Sequence, residues 1–475
     1  MKIISFAAVS LGVLSGWSLQ ARAATVPAGF KDTRILSGIN PTTMDIAPDG
    51  RIFYCEKNGR VRIVKDDKLL PRPFLSLDVD IFQERGLLAV TFDPGFPGNP
   101  YVYVYYTAKN PSHNRVSRFK ADGDTATGGE QVLIDFNNLS SIGYHNGGGI
   151  RFGKDGKLYI AVGNNANDGY SQSLTVLLGK ILRINPDGGI PTDNPFYAQT
   201  AGSNRAIWAL GFRNPFTTAI QPGTGRFLID EVGESTSEEI DEGKAGSNYG
   251  WPKAEGHANT APAGLTGAYA DPVYTYDHGE GCAITGGSFY QPIGNSFGSG
   301  YPGLYFFGDY CGGWIRTLDF SSGKADKAAK AFATGILRPV DVKVGPDGSL
   351  YYLARGNRAS GVGQGSEQDN TSTQDGSLNK VTGPVTVSLR PQERAQERDP
   401  DRSRTMIVIQ GNLIQGNLIQ GNPNRAILPG GKSALSVFDS KGKRICTVHR
   451  GGRIGDLPVT LPAKAAFGIV HVTLD

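Results

Sequence analysis

The chain has 475 residues, 65 of them glycine and 28 proline, with 39% apolar residues. Glycine lacks the three-residue period of collagen and the apolar share is too high for a disordered chain, so a large core can be buried. A formal charge of +4, from 48 basic and 44 acidic residues, gives no field that would draw the protein to nucleic acid or an anionic membrane.

The first stretch reads as an address. Lys2 opens a short basic head, Ile3 to Leu19 is mostly apolar, and Ala21-Arg22-Ala23 is a small-x-small site. This is the three-part pattern of a signal peptide spanning residues 1–23, so the protein is expected to be secreted or periplasmic. No later apolar run approaches the ~20 residues of a membrane helix. Export permits disulfides. Cys55, Cys282, Cys311 and Cys446 allow three pairings, and spacing alone does not select one.

Amphipathic helix patterns are scarce after the leader. A turn followed by a short β-branched or aromatic run recurs instead. Pro48-Asp49-Gly50, Asp155-Gly156, Pro222-Gly223-Thr224-Gly225 and Pro346-Asp347-Gly348 carry the clear versions, Asp93-Pro94-Gly95 and Pro302-Gly303 the weaker ones. Glycine after aspartate supplies the positive φ of a tight turn, and the runs that follow suit strands. A sheet unit repeated at such spacing predicts an all-β protein, a six-bladed β-propeller over about residues 27–382. A tandem β-sandwich is the competing architecture.

Composition changes near residue 383. Arg390 to Arg404 offers nothing to bury and reads as solvated linker, followed by three Ile-Gln-Gly-Asn pentads, the whole spanning 383–425. The runs Ala434 to Phe438 and Phe467 to Val472 predict a small β module over 426–475. It loosely resembles sorting or anchoring modules of exported proteins, which implies cell-surface attachment.

Three places could carry chemistry. His145 precedes Asn146-Gly147-Gly148-Gly149, where glycine lets the backbone pass close to a ligand and is expected to leave the imidazole exposed. Arg213-Asn214-Pro215 follows an apolar run, at a strand end. Asp230-Glu231, Ser237 to Asp241 and Asn248 to Pro252 bring hard oxygen donors suited to Ca²⁺. Each has a plain alternative: a loop histidine, a surface ion-pair arginine, an acidic turn.

These residues, with Glu84-Arg85-Gly86-Leu87-Leu88, Gly179 to Asn185 and Leu210 to Pro215 in the same order, resemble the glucose/sorbosone dehydrogenase family over roughly Gly29 to Val381. The resemblance implies an exported six-bladed propeller that uses pyrroloquinoline quinone and calcium to oxidise an aldose sugar, passing electrons to an external acceptor. It implies that His145 removes the anomeric hydroxyl proton, with a pKa near working pH, and that Arg213 and Asn214 lie beside the quinone carbonyls. Asn164 stands where the family orients the histidine. Glu84, Thr285 and Arg338 match cofactor positions. Glu239 and the Tyr249 carbonyl match one calcium site, and the Gly233 and Glu234 carbonyls a second.

Departures from the family pattern accompany these matches. An amide, Asn164, replaces an acid; Cys311 stands at a lysine position, Val340 at an arginine position and Glu84 at a glutamine. Two other functions therefore stay open: a propeller without cofactor that binds carbohydrate or protein, and a calcium-dependent, lactonase-like propeller hydrolase. Cys282 and Cys311, both in glycine turns, are the pair expected to join, with Cys55 and Cys446 unpaired.

Overall fold

Three of the expected turns are built alike. Asp49, Asp155 and Asp347 each accept, through Oδ1 and at 3.1 Å, the backbone N–H two residues on, from Arg51, Lys157 and Ser349. The glycines between them, Gly50, Gly156 and Gly348, have φ of 89°, 71° and 79°, where any Cβ would be strained. Each turn returns the chain from the first strand of a sheet to its second, and the weaker turns do the same in the remaining sheets.

The computed structural model describes residues 23–258, 260–325, 328–356 and 375–384, together with a few backbone strand segments beyond. The described residues are all-β apart from single helical turns at Asp168–Ser171, Tyr197–Gln199 and Gly202–Ala206. Their sheets form a propeller. The innermost strands are Pro41–Ile46, Leu87–Phe92, Ile150–Phe152, Pro215–Ile220, Ile284–Phe289 and Pro339–Val344, and each touches the next around a closed ring. Lys31–Ile39 closes the ring by pairing antiparallel with Gly376–Thr382 as the outer strand of the last sheet.

Regular blades, purely antiparallel with four or five strands, number five rather than the six expected. The sector that begins at Ile150 is instead a mixed six-stranded sheet. Ser247–Asn248 returns to it after the following sheet has begun and joins Ile207–Leu210 in parallel, then carries Ala268–Tyr269 on its far side. No local pattern marks that return, because the pairing joins Leu210 to Asn248.

Apolar side chains pack between neighbouring sheets. Phe53 and Val61 of the first sheet meet Val90 and Val104 of the second; Leu228 and Ile240 of the fourth meet Ile284 and Phe307 of the fifth. Both faces of each sheet are thus covered, and radial repetition leaves only short sheet edges.

The Cys282–Cys311 disulfide is present, with Cα atoms 5.5 Å apart. It joins the turn entering Ile284–Phe289 to the turn leaving Tyr305–Asp309. Buried Asp309 holds the same two turns, accepting backbone N–H groups from Cys282, Ala283, Cys311 and Gly312. Cys55 is buried and free in the strand Ile52–Glu56. Replacing both bridged cysteines by alanine should lower unfolding free energy by about 3 kcal/mol, from the loop closure lost. Urea melts of the two proteins measure it; equal midpoints would mean the Asp309 network alone holds the turns.

Residues 1–22 of the leader, Arg390 to Arg404, the pentads after Ile409 and the side chain of Cys446 lie outside the described residues. In the C-terminal region Ala434–Phe438 pairs antiparallel with Arg444–His449 and with His471–Leu474. Among the described residues no helix is long and apolar enough to cross a membrane.

Candidate active site

Every innermost strand is entered from the same end of the channel, and the candidate residues gather there. Glu84 precedes Leu87–Phe92, His145 precedes Ile150–Phe152, Arg213 and Asn214 precede Pro215–Ile220, Thr285 lies in Ile284–Phe289, and Arg338 precedes Pro339–Val344. Direct bonds tie them together. Glu84 Oε2 accepts the His145 N–H at 2.8 Å, and Asn214 Oδ1 accepts the Gly147 N–H at 2.9 Å. Thr285 Oγ1 donates to the Pro339 carbonyl at 2.7 Å and is buried.

His145 has φ of +57°, a left-handed conformation uncommon for a side chain of its size. Its imidazole is half-buried rather than exposed, and its backbone is closely packed: a Cβ on Gly163 would lie 2.1 Å from the His145 carbonyl. Nδ1 lies 2.9 Å from Asn164 Oδ1. That Asn164 atom must be oxygen, since it also accepts the Ala166 N–H at 2.9 Å, while Nδ2 donates to Asp168 and Ser171. Nδ1 therefore carries the proton and Nε2 keeps a lone pair.

The imidazole is held far from the expected titration near neutrality. Burial, then the Arg213 charge, lowers its pKa to about 4, opposed by the Asn164 hydrogen bond and by Asp168. His145 is thus neutral at physiological pH. Asn164 meets the tautomer requirement, but an amide does not offset burial as an acid would.

Arg213 lies with its guanidinium carbon 5.5 Å from the Trp251 ring centroid, and Nη1 donates to the Val232 carbonyl at 3.3 Å. Its remaining donors have no protein partner among the described residues. Arg338 has φ of +58° and sits 5.5 Å from the Tyr310 ring. These two cations fit an anionic, planar ligand. Cys311 is oxidised and Val340 is packed in the core between the last sheet and the first, so neither position supplies a cation.

Below Arg213 lies a set of buried carboxylates. Glu231 Oε1 accepts the Arg213 and Asn214 N–H groups at 2.9 and 2.6 Å, while Oε2 is buried without a partner. Glu239 faces Glu231 across the ladder, and Asp241, two residues along the same face, has both oxygens buried and unpartnered. Burial raises all three; the Glu239 charge adds to it at Glu231 and Asp241, while Glu255, Glu238 and Asp271 add to it at Glu239, which is pushed up to about 8. Buried carboxylate oxygens with no donor among the described residues suit a hard cation. Among the described residues no three His, Cys, Asp or Glu side chains converge as a metal-binding group.

The other calcium candidates differ in surroundings. Tyr249 stacks on Phe212 with centroids 4.5 Å apart, and its hydroxyl donates to the Glu242 carbonyl at 2.7 Å. Glu234 is exposed. The N–H groups of Glu234, Ser235 and Thr236 all converge on Glu255 Oε1, within 2.7–3.0 Å, and hold the Glu255 carboxyl down at about 2 despite partial burial. Sequence reasoning passed over Asp168, Glu255 and Lys180. Buried Lys180 donates to the Tyr170, Ser171 and Leu178 carbonyls, and its pKa falls to about 7 through burial alone. The lysine that opens the run Lys180-Ile181-Leu182-Arg183-Ile184 was the available signal.

A ring of sheets whose loops bring a histidine and two arginines to one mouth, beside buried carboxylates of the strands Phe227–Glu231 and Ser237–Glu242, defines a β-propeller with a candidate site. The chain belongs to the glucose/sorbosone dehydrogenase family, whose model matches residues 39–361. It is 28% identical over 328 residues to the aldose sugar dehydrogenase YliI of Escherichia coli, covering 66% of this chain and 86% of that one. It is 29% identical over 298 residues to quinoprotein glucose dehydrogenase B of Acinetobacter calcoaceticus, covering 54% and 60%. Among solved structures, an oxidoreductase (glucose dehydrogenase) from Thermus thermophilus superposes with a TM-score of 0.63 at 28% identity, covering 74% of this chain and 99% of that one.

Proposed function

We propose that this protein oxidises an aldose sugar at the anomeric carbon, with His145 as general base and pyrroloquinoline quinone as cofactor. The observation that carries the reading is the neutral His145 whose proton is confined to Nδ1, which leaves Nε2 at the mouth to take the hydroxyl proton. The names of the E. coli and Acinetobacter relatives point the same way. Arg213 and Arg338 would hold the cofactor with Asn214, Thr285 and Glu84. When bound, the quinone supplies a two-electron acceptor for the sugar's hydride. Arg213, fixed over Trp251, keeps a positive charge where negative charge develops. Glu239, Glu231 and Asp241, with the Tyr249 carbonyl, would hold one calcium, and the Gly233 and Glu234 carbonyls a second.

We count the mixed sheet as a sixth blade, since its first four strands are an antiparallel meander like the others. Residues 1–23 would direct export, 27–382 form the propeller, 383–425 a linker, and 426–475 a module for surface attachment, with electrons leaving to an external acceptor. The hydrolase alternative requires available carboxylates in the channel, whereas Asp341 is engaged by Lys343, Thr43 and Met44, and Asp45 by Arg151 and Thr91. The binding-only alternative draws on the missing cations at Cys311 and Val340.

Purified protein should take up the quinone in the presence of calcium and then reduce a dye with an aldose. No quinone uptake at micromolar concentration would leave the binding-only propeller.

A further inference from the structure

The acid that the family places against the histidine is missing, yet a carboxylate stands one residue further back. Asp168 opens the helical turn Asp168–Ser171. Its Oδ1 accepts the Asn164 Nδ2–H at 3.3 Å and the Trp251 indole N–H at 2.8 Å. Trp251 in turn lies under the Arg213 guanidinium, and the Arg213 carbonyl accepts the Asn164 N–H at 2.8 Å. The contacts close a circuit: His145, Asn164, Asp168, Trp251, Arg213 and back to Asn164.

We propose that Asp168 is a positioning residue for His145, holding the Asn164 amide in place behind the imidazole and tying it through Trp251 to Arg213. The inference rests on the reading of His145 as the base. Asn164 Oδ1 is set by the Ala166 N–H, so the tautomer does not depend on Asp168. What Asp168 fixes is the far end of the amide, whose other acceptor is Ser171 Oγ, a neutral hydroxyl at 3.4 Å, where Asp168 offers a charged oxygen at 3.3 Å. Without Asp168 the far end of the amide is held by Ser171 alone and sits less firmly against Nδ1, and Trp251 loses the acceptor that orients its ring beneath Arg213. The same carboxylate therefore sets the spacing between the base and the cation. Sequence separation conceals this, because Asp168 and Trp251 are 83 residues apart.

The test compares Asp168→Ala, Asp168→Asn and Asn164→Asp in the full chain. In cofactor-free, isotopically labelled protein, the His145 Nδ1–H proton and the Trp251 indole proton should exchange slowly in the parent. Both should exchange rapidly in Asp168→Ala, and both should stay protected in Asp168→Asn, which keeps an acceptor of the same shape. With quinone and calcium supplied, Asp168→Ala should lose about tenfold in kcat/KM, the low end for an outer partner of a functional histidine, with sugar KM little changed. Asp168→Asn should lose about twofold. On the Asn164→Asp background, where a carboxylate grips Nδ1–H directly, removing Asp168 should cost less than on the parent background, since only the Trp251 contact is then lost. Unchanged proton exchange in a folded Asp168→Ala protein would overturn the proposal. So would an equal kinetic loss on both backgrounds, which marks a merely structural role. If the parent oxidises no aldose, the function reading fails, while the exchange measurements still decide whether Asp168 holds His145.

Discussion

Replacing His145 by asparagine should lower kcat/KM for aldose oxidation about a thousandfold, within the span of a lost general base. Asparagine is the informative choice because it tolerates the φ of +57° that His145 adopts, so backbone strain does not confound the result. Its amide can still accept or donate a hydrogen bond to the sugar but takes no proton at neutral pH. KM should change little, since the loss falls on the transition state. The pH profile gives a second check. Burial and Arg213 hold His145 at about 4, so the parent enzyme keeps its base neutral down to that pH. The acid limb of kcat/KM should accordingly fall near pH 4 rather than near 6.5, the value of an unperturbed imidazole. A limb near neutrality would mean that the bound ligands reverse the effect of burial, or that another group is the base.

Asp241→Asn should have opposite effects with and without calcium. In metal-free protein the carboxylate is buried beside Glu239 and Glu231 with no donor to either oxygen, and burial raises its pKa well above the ordinary carboxylate value. A raised carboxylate takes up a proton on folding, so its contribution to stability is lost as pH rises above its unfolded value near 3.9. The amide carries no charge to bury, and metal-free Asp241→Asn should be more stable than the parent at pH 8, by about 1–2 kcal/mol. Calcium should reverse the order. At a hundredfold excess over its Kd the ion stabilises the parent by about 2.7 kcal/mol, and losing a charged oxygen should remove most of that gain. Thermal melts with calcium and with chelator give both numbers. Equal calcium shifts in the two proteins would place the ion elsewhere.

The elements readable along the chain are those whose determinants lie within a few residues of one another. Asp49, Asp155 and Asp347 build their turns from an oxygen and an N–H two positions apart, so the repeated spacing of these turns was enough to expect a ring of sheets. The Cys282–Cys311 bridge followed from two glycine turns and an export pattern. His145, Arg213 and Asn214 stood out through motifs in family order, and the fold brings them to one mouth. What depends on distant partners had no such local mark. The mixed sheet exists because Asn248 pairs with Leu210, across the whole of the strands between. The depressed His145 pKa comes from burial and from Arg213, neither of which a glycine-rich loop reveals. Asp241 looked like any residue of an acidic turn until folding sealed it away from water and from every donor. Desolvation and long-range pairing are properties of the closed ring, and only the assembled chain supplies them.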